Sequence, residues 1–129
     1  MTQNKKIESF QDLKIWQRSI ELVGQIYKLT TKYPNDEKFG IVSQIRRSAV
    51  SIPSNIAEGF GRWGNKEFRH FLYISMGSCA ELITQLVISL NLGYITKLEM
   101  DKLIDEINQI SKMITALIKK IEENLCKDN

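Results

Sequence analysis

The side chains that carry acid–base, nucleophilic or metal-binding chemistry are few in this chain and poorly spaced for it. There is one histidine, His70, three residues after Glu67. In di-iron four-helix bundles such a Glu-x-x-His pair is half of a site, which needs a second pair and two further inward glutamates. A single histidine cannot supply them, so no metal site is expected. Cys79 follows His70 by about two and a half helical turns, too far to share an ion or form a Cys–His nucleophile pair. Cys79 and Cys126 form no C-x-x-C pair and read as free thiols, Cys79 as a small buried hydrophobe. The run Gly59-Phe60-Gly61-Arg62-Trp63-Gly64 has glycines but neither the preceding strand nor the lysine–hydroxyl pair of a phosphate loop. Glu58 and Glu81 are carboxylates without a pocket signature, each expected to pair with an arginine. The chain therefore reads as non-enzymatic, with no catalytic residue, no metal and no cofactor.

Recognition chemistry is better represented. Between residues 38 and 70 stand six basic side chains (Lys38, Arg46, Arg47, Arg62, Lys66 and Arg69) against the acidic Glu58 and Glu67. Residues 97–129 carry six basic and seven acidic groups, so the positive charge is concentrated in the middle of the chain. That segment is the candidate surface for an anionic partner, although a solvated face laced with ion pairs gives the same count. Arg62, Lys66 and Arg69 step by four and three and make one ridge if the helix that follows starts early enough. Trp63 stands among them, placed either to stack on a nucleobase or to cover the end of the fold. Arg46 and Arg47 serve equally well as phosphate contacts or as ion-pair partners of Glu58 or Glu81 at a subunit contact.

These residues must be positioned by helices. Two prolines and seven glycines in 129 residues leave long stretches free of turn formers. A first helix is expected from Ser9 or Asp12 to about Lys32, with one apolar stripe of Leu13, Trp16, Ile20, Val23 and Tyr27 and a second of Ile15, Leu22, Ile26 and Leu29. After Tyr33-Pro34-Asn35-Asp36 a second runs from about Asp36 to Phe60, with Val42, Ile45, Ala49, Ile52 and Ile56 on one face. Pro53 lies inside it and is expected to kink or break it, with Ser48, Ser51, Ser54 and Asn55 able to satisfy the freed backbone. Gly59-Phe60-Gly61 is expected to close it with a residue tolerant of positive φ. Asn65 is expected to cap a third helix that is apolar around most of its circumference and ends at Gly93. Thr96-Lys97-Leu98-Glu99 is a capping box opening a fourth helix of about 45 Å. There Met100, Leu103, Ile107, Ile110, Ile114, Leu117 and Ile121 alternate by three and four, with Ile104 and Ile118 beside the seam.

Four long helices with short connections predict an all-α fold: an antiparallel up-down-up-down four-helix bundle with a proline-kinked second helix. Residues 1–129 form one domain, with short flexible ends at about 1–8 and 126–129. No uninterrupted apolar run of about 18 residues is present and the first residues lack the core of a signal peptide, so no membrane span and a cytoplasmic location are expected. The apolar excess on the first and third helices calls for a second burial surface, most simply a homo-oligomer.

The run Gly40, Gln44, Arg46-Arg47-Ser48, Ser51-Ile52-Pro53, Asn55-Ile56-Ala57-Glu58-Gly59 and Gly61-Arg62 resembles the bacterial four-helix-bundle family of 23S rRNA intervening-sequence proteins. Phe10, Asp12-Leu13 and Trp16 fit the start of that family, and Phe68, Phe71-Leu72, Gly77-Ser78 and Glu81 fit its third helix, so the likeness covers roughly residues 10–95. Ser75 stands where the family more often has alanine, and Trp63 is not one of its hallmarks. The resemblance implies a bundle that assembles as a ring, with pentamers among relatives, and RNA as a partner. A more distant likeness of architecture, to the accessory protein of diversity-generating retroelements, implies the alternative of a scaffold that holds a partner enzyme such as a reverse transcriptase. The expected RNA-contacting set is Arg46, Arg47, Arg62, Lys66 and Arg69, and the expected structural motif is Ser51, Pro53, Asn55, Glu58, Gly59 and Glu81.

Overall fold

Four helices follow one another, joined by connections of four to ten residues, in a computed structural model that describes residues 6–127: α1 Lys14–Thr30, α2 Ile41–Phe60, α3 Asn65–Asn91 and α4 Lys97–Lys127. Short 3-10 turns at Phe10–Asp12 and Asn35–Glu37 lead into α1 and α2. The flexible ends expected at 1–8 and 126–129 lie partly outside the described residues; within them, Cys126 and Lys127 still belong to α4.

The start of the chain is fixed locally. The Ser9 hydroxyl accepts from the Gln11 amide, and the Asp12 carboxylate accepts from the amides of Glu8 and Ser9, a capping box around the first turn. The box expected at α4 is present as well: Glu99 accepts from the Thr96 amide at 2.9 Å, and the Glu99 amide donates to the Thr96 hydroxyl at 3.1 Å. α3 begins differently from expectation. Asn65 is already helical, and the capping position is Gly64, extended at φ −163° and without a side chain to accept the free amides.

Each helix packs on its sequence neighbours, and α4 returns to α1, which makes all four a bundle. Along the α2–α3 seam, Ser48 meets Glu81, Ser51 meets Ser78, and the Ile52 carbonyl meets Ser75. The numbering falls along α3 as it rises along α2. The same reversal holds for Tyr73 with Glu122 and Met76 with Thr115, and for Arg18 with Glu106 and Lys32 with Glu99. The core between them is aliphatic: Leu22, Ile26, Ile45, Ile52, Ile56, Leu72, Leu82, Leu86, Ile107, Ile110 and Ile114 are wholly buried. At about 25 cal/mol per Å² of apolar surface removed from water, this layer is the main stabilising term.

α2 is continuous from Ile41 through Pro53 to Phe60, so the break admitted by the sequence does not occur. Neighbouring polar groups serve the backbone around the proline: Asn55 donates to the Ser51 carbonyl at 2.8 Å, and Ser75 of α3 donates to the Ile52 carbonyl at 2.9 Å. At its end, neither glycine takes positive φ. Gly61 caps the helix at φ −76°, whereas Gly59 lies within it for reasons of space: a Cβ there would stand 2.6 Å from Phe71 Cβ on α3. The left-handed residue of this turn is Trp63, at φ 52°. Gly93, at φ 80°, ends α3 as expected.

Two helices keep apolar side chains on the outside. In α1 the buried stripe is the second of the two, Ile15, Leu22, Ile26 and Leu29 with Ser19 among them, while Ile20 and Tyr27 of the other are exposed. α3 buries Leu72, Ser75, Cys79, Leu82, Gln85, Leu86 and Ser89 and leaves Tyr73, Ile74, Val87 and Ile88 exposed. By length and composition α3 is apolar enough to cross a membrane although polar residues interrupt its sequence; here its inner face is a wall of the bundle core.

Candidate nucleic-acid interface

The five basic residues singled out in the sequence fall into two groups. Arg46 and Arg47 lie near the middle of α2; Arg62, Lys66 and Arg69 lie at the α2–α3 end. Thirteen residues of α2, about 20 Å of helix rise, lie between Arg47 and the end of the helix at Phe60.

Arg46 is held by its own fold. Its Nε donates to the Thr30 hydroxyl at 2.9 Å, its Nη2 reaches the Tyr27 carbonyl, and its guanidinium lies 4.4 Å from the Tyr27 ring centroid. Thr30 is itself buried and donates to the Ile26 carbonyl. Arg46 therefore fastens α2 to the end of α1 through a stacked, hydrogen-bonded cation. Arg47, next to it, is exposed and makes no ion pair among the described residues. The carboxylate expected to receive one of these arginines, Glu81, instead accepts from the Ser48 hydroxyl at 2.6 Å.

At the bundle end Arg62 pairs with Glu58 at 2.5 Å, one turn back, and its guanidinium stands 5.4 Å from the Phe71 ring centroid. Because α3 begins at Asn65, Arg62 lies outside it, and the three-residue ridge drawn from spacing does not form on one helix. Lys66 and Arg69, three apart on the first turns of α3, do share a face and have no carboxylate partner among the described residues. Across the α2–α3 turn Phe60 and Phe68 meet edge to face at 5.8 Å, and Gly59 lets the α2 backbone come against Phe68 and Phe71. Trp63 projects from this platform with 98% of its surface in water. It does not cover the bundle end.

The structural motif is a small-residue seam. Ser51 and Ser78 share a hydrogen bond of 2.7 Å, Asn55 Nδ2 donates to both the hydroxyl and the carbonyl of Ser51, and Pro53 is buried on the side facing α1. These contacts fix the α2 axis against α3 and hence the position of the α2–α3 turn.

The two thiols differ. Burial pushes Cys79 up to about 11, whereas Cys126 is exposed. At the opposite end of the bundle Tyr33 packs on Tyr94 with ring centroids 5.3 Å apart, and Tyr94 donates to Glu37. Burial raises the Tyr33 hydroxyl above its ordinary range; that hydroxyl faces Ser89 without reaching hydrogen-bonding geometry. Sequence reasoning missed Arg18, which ties α1 to α4 through Glu106 at 2.7 Å and Gln109 at 2.7 Å. Partners so far apart in the chain leave no local signal.

A family model described as 23S rRNA-intervening sequence protein matches residues 11–116. The chain belongs to that family. The fold agrees with the crystal structure of a protein of unknown function from the S23 ribosomal protein family of Bacteroides thetaiotaomicron VPI-5482. That structure superposes with a TM-score of 0.76 at 26% identity, covering 81% of this chain and 95% of the other. No curated protein matches the chain. The family match spans α1 to α3, the α2–α3 turn and most of α4, so the basic end and the small-residue seam both lie within it.

Proposed function

We propose that this protein is a non-catalytic, cytoplasmic RNA-binding protein that acts as a homo-oligomer, with a ring of five copies favoured. The basic α2–α3 end meets the RNA. The observation that carries this reading is Trp63, an aromatic ring standing almost wholly in water in the turn that leads to Lys66 and Arg69, two cations without a carboxylate partner among the described residues. Rings in that setting stack on unpaired bases while the cations take the flanking phosphates. The family's description names 23S rRNA, which supports RNA as the anionic partner. Arg62 supplies part of its charge, being shared with Glu58, and Arg46 orders the scaffold. Arg47 extends the positive surface along α2. Three net positive charges per chain bind weakly alone; copies placed around a ring add their contacts. The apolar side chains left outside on α1 and α3 support the assembly.

A scaffold for a partner protein is the second reading. It is favoured by an apolar groove of about 290 Å³ between α1 and α2, walled by Trp16, Ile20, Val23, Val50, Pro53 and Ala57.

Fluorescence anisotropy with a structured ribosomal RNA fragment separates the two. Lys66→Glu/Arg69→Glu is expected to abolish saturable binding while leaving the native mass unchanged. Arg47→Glu is expected to lower the slope of log K against log salt by roughly 0.7–0.9. Binding that survives the Lys66/Arg69 reversal overturns the α2–α3 end as the RNA interface; no binding even at low salt moves the function to the groove and its protein partner.

A further inference from the structure

Of the neighbouring helix pairs, α1 and α4 approach each other least. They are clasped at two places, by Lys32 with Glu99 and by Arg18 with Glu106. Near these clasps lies a cleft of about 600 Å³, within the size range of small-molecule sites. Its apolar lining includes Leu29 and Leu103, core leucines that keep 8% exposure while Leu22, Leu72, Leu82 and Leu86 have none.

The charges around the cleft do not balance. Glu99 is taken by Lys32 and Glu106 by Arg18, which leaves Lys28 on α1 and Lys102 on α4 without a carboxylate among the described residues. Lys28 and Lys102 stand on the two helices that flank this apolar lining, where an anion lodged between them gains charge-assisted contacts from both sides. We propose that the α1–α4 cleft binds a small organic anion with an apolar body. Its carboxylate, sulfonate or phosphate lies between Lys28 and Lys102, and its body lies against Leu29 and Leu103. Inorganic phosphate lacks the body, and a neutral amphiphile lacks the charge. The cleft is lined by the end of α1 and the start of α4, whereas the RNA-contacting turn joins α2 to α3, so either site can fail in a test without the other.

The test uses the full chain and the fluorescent probe 1-anilinonaphthalene-8-sulfonate. One saturable site per chain is expected, with decanoate displacing the probe and decanol or inorganic phosphate at equal concentration leaving it bound. Lys28→Glu/Lys102→Glu is expected to weaken binding by about tenfold or more, the loss of two charge-assisted contacts. Lys119→Glu/Lys120→Glu, two exposed lysines farther along α4, is expected to leave it unchanged. Lys28→Gln/Lys102→Gln gives the same reading without adding negative charge. Circular-dichroism melts of every variant establish that it folds. Probe binding that does not saturate, that decanol displaces as well as decanoate, or that is equal in the double variants overturns the proposal.

Discussion

Gly59→Ala tests whether the α2–α3 end is set by backbone approach. An alanine Cβ would stand 2.6 Å from Phe71 Cβ and 3.1 Å from Phe68 Cδ1, where ordinary contact begins at 3.4 Å. Phe71 Cβ is anchored to the α3 backbone and cannot rotate away, so α3 must retreat by about 1 Å, an overpacking cost of roughly 1–3 kcal/mol. The seam hydrogen bonds from Ser75 to Ile52 at 2.9 Å and between Ser51 and Ser78 at 2.7 Å have little slack for that shift, and each is worth about 1 kcal/mol. Against this, alanine gains about 1 kcal/mol over glycine in a helix interior. The net expectation is a loss of about 1–3 kcal/mol, read as a lower urea midpoint at unchanged slope and fixed protein concentration. Gly24→Ala and Gly77→Ala, where a Cβ meets nothing within 4 Å, should each raise the stability of the single chain by about 0.5–1 kcal/mol. A Gly59→Ala protein as stable as the parent would refute the close-approach reasoning.

Three further outcomes follow from individual side chains. Glu99 is held below its ordinary 4.5, first by the hydrogen bond from Lys32 and then by the Thr96 amide. Its contribution is therefore complete above pH 4.5 and is lost as pH falls through the depressed value. Glu99→Gln should cost at most about 1 kcal/mol near neutrality and progressively less as pH falls below 4.5, compared by denaturant midpoints. Cys126 should react with iodoacetamide at neutral pH while Cys79 stays unmodified until the chain unfolds, as mass spectrometry would read. Tyr33→Phe removes a buried hydroxyl that lacks a hydrogen-bonding partner, so the thermal midpoint should stay level or rise; a fall of several degrees would show that the hydroxyl is satisfied.

The helices were legible because their apolar periodicity is long and uninterrupted, and α2 shows this best: Val42, Ile45, Ala49, Ile52 and Ile56 are all buried as the spacing predicts. Which face of α1 points inward was not legible. Its two stripes are equally apolar, and the buried one contains Ser19, whose hydroxyl is satisfied locally by the Trp16 carbonyl. In α4 a strict heptad reading keeps Leu117 on the seam, yet Ile118 is buried and Leu117 only half-buried. A helix of 3.6 residues per turn drifts away from a 3.5 repeat over its length. α3 misleads most, since Ser75 and Ser89 are buried on backbone carbonyls while Ile74 and Ile88 face out. At the candidate interface the composition of the basic segment was visible, but its division was not. Arg46 is occupied by Tyr27 and Thr30 of another helix, and Arg62 stops short of α3 because that helix begins at Asn65.

The central claim is that RNA meets the protein at Trp63. Replacing Trp16 by phenylalanine leaves Trp63 as the one tryptophan, so its emission reports that end of the bundle alone. This variant would be titrated with a labelled ribosomal RNA fragment at low and near-physiological salt, following anisotropy and tryptophan emission together. The account predicts a saturable anisotropy rise with matching quenching, both weakened by salt. An anisotropy rise with unchanged emission, or no rise even at low salt, would contradict it.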